Sequence, residues 1–184
     1  MNAIKWMGSL LVLLSFLSSP LRAANMEAAQ RAEILILKTK IQAAFSPEIP
    51  PGLQAYLQCP EMQSVKKLQD FIAVATYQSI EADFIYYNIG AITSACVMVP
   101  AMAALMQADD LFSPLGVTAS TVLWTGCIPR GLYYGLRGTW AALKMSAANW
   151  NRHCRGIQRK DPLYRKVKAA FTQDSQLRFA YTGR

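Results

Sequence analysis

The chain contains one histidine, His153, and that scarcity removes several chemistries at once. A metal site built from several histidines of one chain is excluded, and a Ser–His–acid or Cys–His mechanism would have to use His153 itself. Its neighbour is Cys154. Adjacent side chains on a helix point about 100° apart, a poor arrangement for a dyad. The flanking Arg152 and Arg155 make a surface basic cluster the simpler expectation. No Cys-x-x-Cys spacing occurs, which argues against a thioredoxin-type site or a zinc ribbon. Gly131, Gly135 and Gly138 fall in a helical pattern, without the strand and turn that a phosphate-binding loop needs. Internal repeats and low-complexity tracts are missing too. With no catalytic motif, metal site or cofactor signature, the expectation is a non-enzymatic protein.

Charge is also scarce, at 16% of residues, against about 25% in an ordinary soluble domain. The deficit is concentrated in the middle. Phe84 to Met106 holds no charged residue over 23 positions; as a helix it would be about 34 Å long, enough to cross a bilayer. Pro100 lies inside it and predicts a kink. Asp109-Asp110 and Leu111-Phe112-Ser113-Pro114 turn the chain, and a second uncharged run covers Leu111 to Pro129. Two such runs around a short acidic turn predict an antiparallel hydrophobic hairpin, residues 84–129. Tyr86-Tyr87 on one leg and Tyr133-Tyr134 with Trp140 on the other would share the level at which membrane proteins place interfacial aromatics. A hairpin buried inside a helical bundle or oligomer is the alternative, since the second run is rich in Gly, Ser and Thr.

The ends carry the rest. Lys5, the apolar stretch Trp6–Leu17, the Ser18-Ser19-Pro20 break and Leu21-Arg22-Ala23 read as a signal peptide, residues 1–23, cleaved after Ala23. Residues 24–83 form an N-terminal helical segment. One helix is expected over Met26–Phe45, a stiff connector over Pro47–Gly52, and a second helix from Cys59-Pro60-Glu61. Val65, Leu68, Ile72, Ala75 and Ser79 make its packing seam. Residues 130–184 form a basic helical C-terminal segment, with twelve basic residues against Asp161 and Asp174. Asp161-Pro162 opens a short helix to about Phe171, and the last residues are expected to be loose. The fold class is therefore all-α: N-terminal helices, a transmembrane hairpin and basic C-terminal helices.

Three candidate sites follow. Arg130, Arg137, Lys144, Arg152, Arg155, Arg159, Lys160, Arg165, Lys166 and Lys168 form a candidate basic face for anionic lipid or an acidic protein. Gly131 and Gly135, spaced Gly-x-x-x-Gly, would let helices approach closely. Four cysteines in an exported chain allow disulfides. Cys96–Cys127 would lie at one depth of the hairpin, and Cys59–Cys154 would clamp its ends. Glu81, Asp83 and Asp109-Asp110 mark the ends of the apolar helices.

The expected function is a structural or assembly subunit of a cell-envelope membrane complex, with membrane lipid and a protein partner or second copy as contacts. A peripheral module that binds anionic lipid or an acidic protein through the basic segment is the alternative. Nucleic acid is disfavoured by export. One conflict remains at this stage. A cleaved signal and a two-pass hairpin place the basic C-terminal segment outside, whereas Lys and Arg beside a span normally stay on the cytoplasmic side.

Overall fold

Two long helices set the architecture, and each passes through two environments. The computed structural model describes residues 26–108 and 110–182; the expected signal peptide lies outside them. Helix α1 (residues 26–44) is followed by strand β1 (Phe45–Ser46), helix α2 (Pro51–Gln58) and a 3₁₀ turn at Pro60–Met62. Helix α3 (Val65–Gln107) has 43 residues, about 64 Å at 1.5 Å per residue. Ser64 starts it, its hydroxyl accepting from the Lys67 N–H at 3.3 Å. Pro100 does not end it.

The return path is one continuous helical run, α4 (Pro114–Thr121), a π-helical segment (Val122–Cys127) and α5 (Ile128–Cys154). Ser113 caps it by accepting from the Gly116 N–H at 3.1 Å, and Pro114 occupies the first turn. The boundary expected at 129/130 therefore falls inside a helix. Pro129 brings no N–H, and the wider turn just before it, where the Ile128 N–H reaches back to Leu123, lets the helix continue. Helix α6 (Pro162–Gln173) and strand β2 (Arg178–Phe179) finish the chain.

The base of α3 is enclosed on every side: Phe71, Ile72, Ala73, Val74 and Ala75 are all buried. Around them pack Ile41 of α1, Leu53 and Leu57 of α2, Met62, and Val167 and Phe171 of α6. We call this unit the cap. The stretch after α6, expected to be loose, is held by strand β2. β2 pairs antiparallel with β1, Phe45 opposite Phe179, and Leu177 and Phe179 are buried. Phe45 is the hub, with ring centroids 6.2 Å from Phe71, 6.2 Å from Phe171 and 4.9 Å from Phe179. The Pro-rich connector also holds more structure than expected, because Pro51 begins α2.

Helix α5 ends in the cap by a Schellman turn. Gly156 takes φ +71°, a conformation open chiefly to glycine, and the Ile157 N–H bonds the Arg152 carbonyl at 3.2 Å. Arg152, expected on the basic surface, is buried. Its guanidinium donates to the Ile157 carbonyl at 3.0 Å and to Asn149 Oδ1 at 2.8 Å. It sits over the rings of Tyr77 and Tyr164, 5.3 and 5.4 Å from their centroids. Burial, then the charge of Glu81, raises the Tyr77 hydroxyl above its usual value, and the neutral ring attracts the cation through its π face. Gln78 Nε2 donates to the Tyr164 hydroxyl at 3.1 Å and completes the joint.

Two substitutions test this packing. Phe71→Ala should lower the stability of the cap by about 3–5 kcal/mol, the usual cost of emptying an aromatic core position. Arg152→Lys should cost about 1.5–3 kcal/mol, since one ammonium cannot keep the forked bonds and the stacking. Denaturant unfolding in detergent, with the exposed Lys168→Ala as a control expected within about 0.5 kcal/mol of the parent, reads both.

Candidate functional site: a bare apolar hairpin

Beyond Asp83 the two long helices leave the cap and, among the described residues, pack chiefly on each other. Their register is fixed by small residues. A Cβ on Gly90 would lie 2.6 Å from the Tyr134 ring, and one on Gly138 would lie 3.7 Å from Tyr87 Cβ. Gly131 stands over Ser94, while a Cβ on Gly135 would meet nothing within 4 Å. The closest approaches of the seam are thus at Gly90 and Gly138. Between them Tyr86, Tyr87, Tyr133 and Tyr134 form a ring cluster, with centroids 5.4–6.4 Å apart.

The outer surface of the hairpin is apolar and open. Ile89, Ile92, Val99, Leu115, Val117 and Leu132 are exposed, and the extremes are Phe112 at 86%, Met106 at 82%, Leu136 at 71% and Trp124 at 69%. Between Phe84 and Met106 only Ser94 is buried, and α3 is long and apolar enough to cross a membrane. Most of the hydroxyls inside this surface are internally satisfied. Thr93 donates to the Ile89 and Gly90 carbonyls, Ser94 to Gly90, Thr118 to Pro114, Thr121 to Val117 and Thr125 to Thr121, all at 2.6–3.0 Å. The content of Ser and Thr that weakened the second run as a span therefore presents few free donors. That is the condition hydrocarbon imposes on a helix.

The ten expected basic residues do not share one face. Arg130, Arg137 and Lys144 form an exposed stripe along α5, two of them stacked on aromatics. The Arg137 guanidinium lies 5.7 Å from the Tyr133 centroid, and the Lys144 ammonium lies 5.4 Å from that of Trp140. Arg152 is the buried joint described above. Arg155 reaches Asp70 Oδ1 and Gln69 Oε1, both at 3.5 Å. Lys166 stands 4.2 Å over the Tyr56 ring. Arg159, Lys160, Arg165 and Lys168 are exposed on the cap. Asp83 is engaged by Arg178 at 3.3 Å.

Arg130 stands apart. In the register of Ser94 over Gly131 it lies level with Ala95, midway between Phe84 and Gln107. It borders a groove of about 310 Å³ between the legs, beside the π-helical segment, shared with Thr93, Ser94, Val97, Val122, Gly126, Cys127 and Tyr134.

Neither expected disulfide forms: Cys59, Cys96, Cys127 and Cys154 are all free thiols. Cys96 and Cys127 lie at nearly one depth, but depth alone does not pair side chains. Ser94 faces the seam, and two residues further on Cys96 has rotated about 200° to the outside, whereas Cys127 is buried against α3. Cys59 packs against the cap core, its Sγ on the Ala55 carbonyl at 3.5 Å, while Cys154 is exposed at the end of α5. His153 is exposed beside it. Among the described residues no cluster of three His, Cys, Asp or Glu could hold a metal ion.

The seam makes a prediction of its own. Gly90→Ala improves helix propensity by about 1 kcal/mol in isolation, yet it should destabilise the hairpin because the Tyr134 ring must leave its place. Gly90→Ala/Tyr134→Ala should recover most of the loss. A double-mutant cycle of thermal unfolding in detergent measures the coupling, and additive effects would show that the two residues do not touch.

No protein-family model matches the chain, and neither a curated protein nor a solved structure matches it, so the functional reading rests on the hairpin and its register.

Proposed function

We propose that the protein is a non-enzymatic structural or assembly subunit of a cell-envelope membrane complex, exported and then anchored by its hairpin. The observation that carries this reading is the bare apolar surface of two helices projecting from a cap that has its own closed core. A soluble domain buries such a surface; here nothing among the described residues covers it.

The depth of insertion follows from the charges. If the tip stopped at the bilayer midplane, Asp110, with Asp109 beside it in sequence, would put two carboxylates there, at about 2.5–3.5 kcal/mol each. If the hairpin crosses completely, the acids emerge in the far headgroups and one arginine, Arg130, is left near the midplane, for about 2.5–3.5 kcal/mol. Complete crossing is the cheaper arrangement. It also sets Tyr86, Tyr87, Trp140 and Lys144 about 12–21 Å from the midplane on the cap side, near the headgroup level where aromatic and basic residues anchor spans.

The cap supports a same-side topology. It interleaves α1 and β1 from one end of the chain with α6 and β2 from the other, so both ends belong on one side of the membrane. A topology in which only Phe84–Met106 crosses would tear the cap apart. With a cleaved signal that side is the outer one, and the positive-inside preference yields to the hairpin entering as a unit. A second reading, a peripheral module that binds anionic lipid or an acidic protein, is favoured by the exposed Arg159, Lys160, Arg165 and Lys168.

Membrane integration predicts that the protein resists alkaline carbonate and high salt and is released only by detergent. Release by salt alone would instead support the peripheral module. Val99→Arg should sharply reduce the membrane-integrated fraction, because it adds a second central charge. Alkaline phosphatase fused after Gly183 should be active, since that enzyme works only outside the cytoplasm. An inactive fusion, with a cytoplasmic reporter active at the same junction, would invert the topology.

A further inference from the structure

We infer that the groove beside the π-helical segment is a docking site for a transmembrane helix of a different protein, one that carries a carboxylate near the bilayer midplane and meets Arg130. The inference rests on the hairpin spanning the membrane. Arg130 is exposed on the groove and has no hydrogen bond, ion pair or ring contact among the described residues, unlike Arg137 and Lys144 on the same stripe. A lone guanidinium at that depth is costly, and ionisable groups inside a bilayer commonly pair with one another or with backbone carbonyls.

The lining narrows the choice of ligand. Thr93 and Ser94 spend their hydroxyl protons on the Ile89 and Gly90 carbonyls, so they offer the groove lone pairs and not donors. The strong donors are those of Arg130, a planar fork suited to one carboxylate. Val97 and Val122 supply apolar walls, and Gly126, where an added Cβ would meet nothing within 4 Å, leaves room for a close helix. A second copy of this chain cannot fill the role. Neither leg carries Asp or Glu between Phe84 and Ala108 or between Leu111 and Pro129, so a copy at the same depth brings Arg130 against Arg130. A lipid phosphate lies about 15 Å from the midplane, half the hydrocarbon thickness, and is too far for one arginine side chain.

The test uses the full chain in phosphatidylcholine vesicles with synthetic leucine–alanine transmembrane peptides. One peptide carries a central Glu, one a Glu moved to its end, and one a central Leu. Energy transfer between a dye on Cys154 and a dye on the peptide reads association, in a background with the other three cysteines replaced by Ala. The central-Glu peptide should associate at least about fivefold more tightly than the other two, the scale of an interhelical hydrogen bond in lipid. Arg130→Leu should abolish that preference, and Arg130→Lys should retain part of it. Equal binding of the three peptides, or a preference that survives Arg130→Leu, overturns the inference. So does a preference that disappears when phosphatidylglycerol is added, which would assign Arg130 to lipid phosphate, or self-association that depends on Arg130, which would assign it to a second copy. Carbonate treatment of the same vesicles separates the two levels. Integrated protein that does not discriminate defeats this inference alone, whereas protein that washes off defeats the membrane reading with it.

Discussion

The Arg152 guanidinium joins four pieces of chain. It stacks on Tyr77 of α3 and Tyr164 of α6, and it donates to Asn149 of α5 and to the carbonyl of Ile157 just past the Schellman turn. A buried cation without a carboxylate is costly unless its donors are met and its faces are covered. Here two acceptors and two rings do that, and Nε alone lacks an acceptor. The arrangement is possible only if α5 ends where it does and α6 turns back over α3. Both long helices are therefore held at one end, and their other halves are free to project. The bare hairpin is a consequence of this one-sided grip.

Along α3 the same helical backbone meets two different requirements. From Leu68 to Ser79 shape complementarity decides, and the aromatic hub at Phe45 fills the space between strands and helices. From Phe84 onward the side chains on the outer face are left uncovered by the other described residues, and the seam of Gly90, Ser94 and Tyr87 has to fit a partner leg. Large apolar residues stand outside and small ones inside, the inverse of the cap. That inversion is expected where the surrounding medium is itself apolar and close backbone approach, not hydrophobic burial, holds helices together.

Much of the architecture was legible in the sequence, since it depends on periodicity and on the distribution of charge. The uncharged runs located the hairpin, and its turn at Asp109-Asp110 already implied which residues would lie at one depth. Rotation about the helix axis was harder to read. It separates Cys96 from Cys127, and it gives the close contacts to Gly90 and Gly138 instead of Gly135. Arg152 looked like its basic neighbours because nothing local marks a residue whose partners lie 75 positions away at Tyr77 or beyond a turn at Ile157. β2 was missed for a related reason. Two residues have no periodicity, and their order comes from Phe45, more than a hundred positions earlier. Arg130 was within reach: counting outward from the turn sets it opposite the middle of the first run, a signal that its membership of a basic stripe concealed.

The unbroken passage of α3 and of the α4–α5 run from tip to cap has a mechanical meaning. A chain that crosses from membrane to soluble domain through a loop leaves the two parts free to reorient. Here both connections between hairpin and cap are made inside helices, so two parallel struts enter the cap and, with the hairpin as the proposed anchor, no joint separates the two. A change in tilt of the hairpin, whether forced by bilayer thickness or by a neighbouring helix, would swing the cap through the same angle and move its far end by a distance set by the length of the lever. The protein is built to hold an orientation as well as a position.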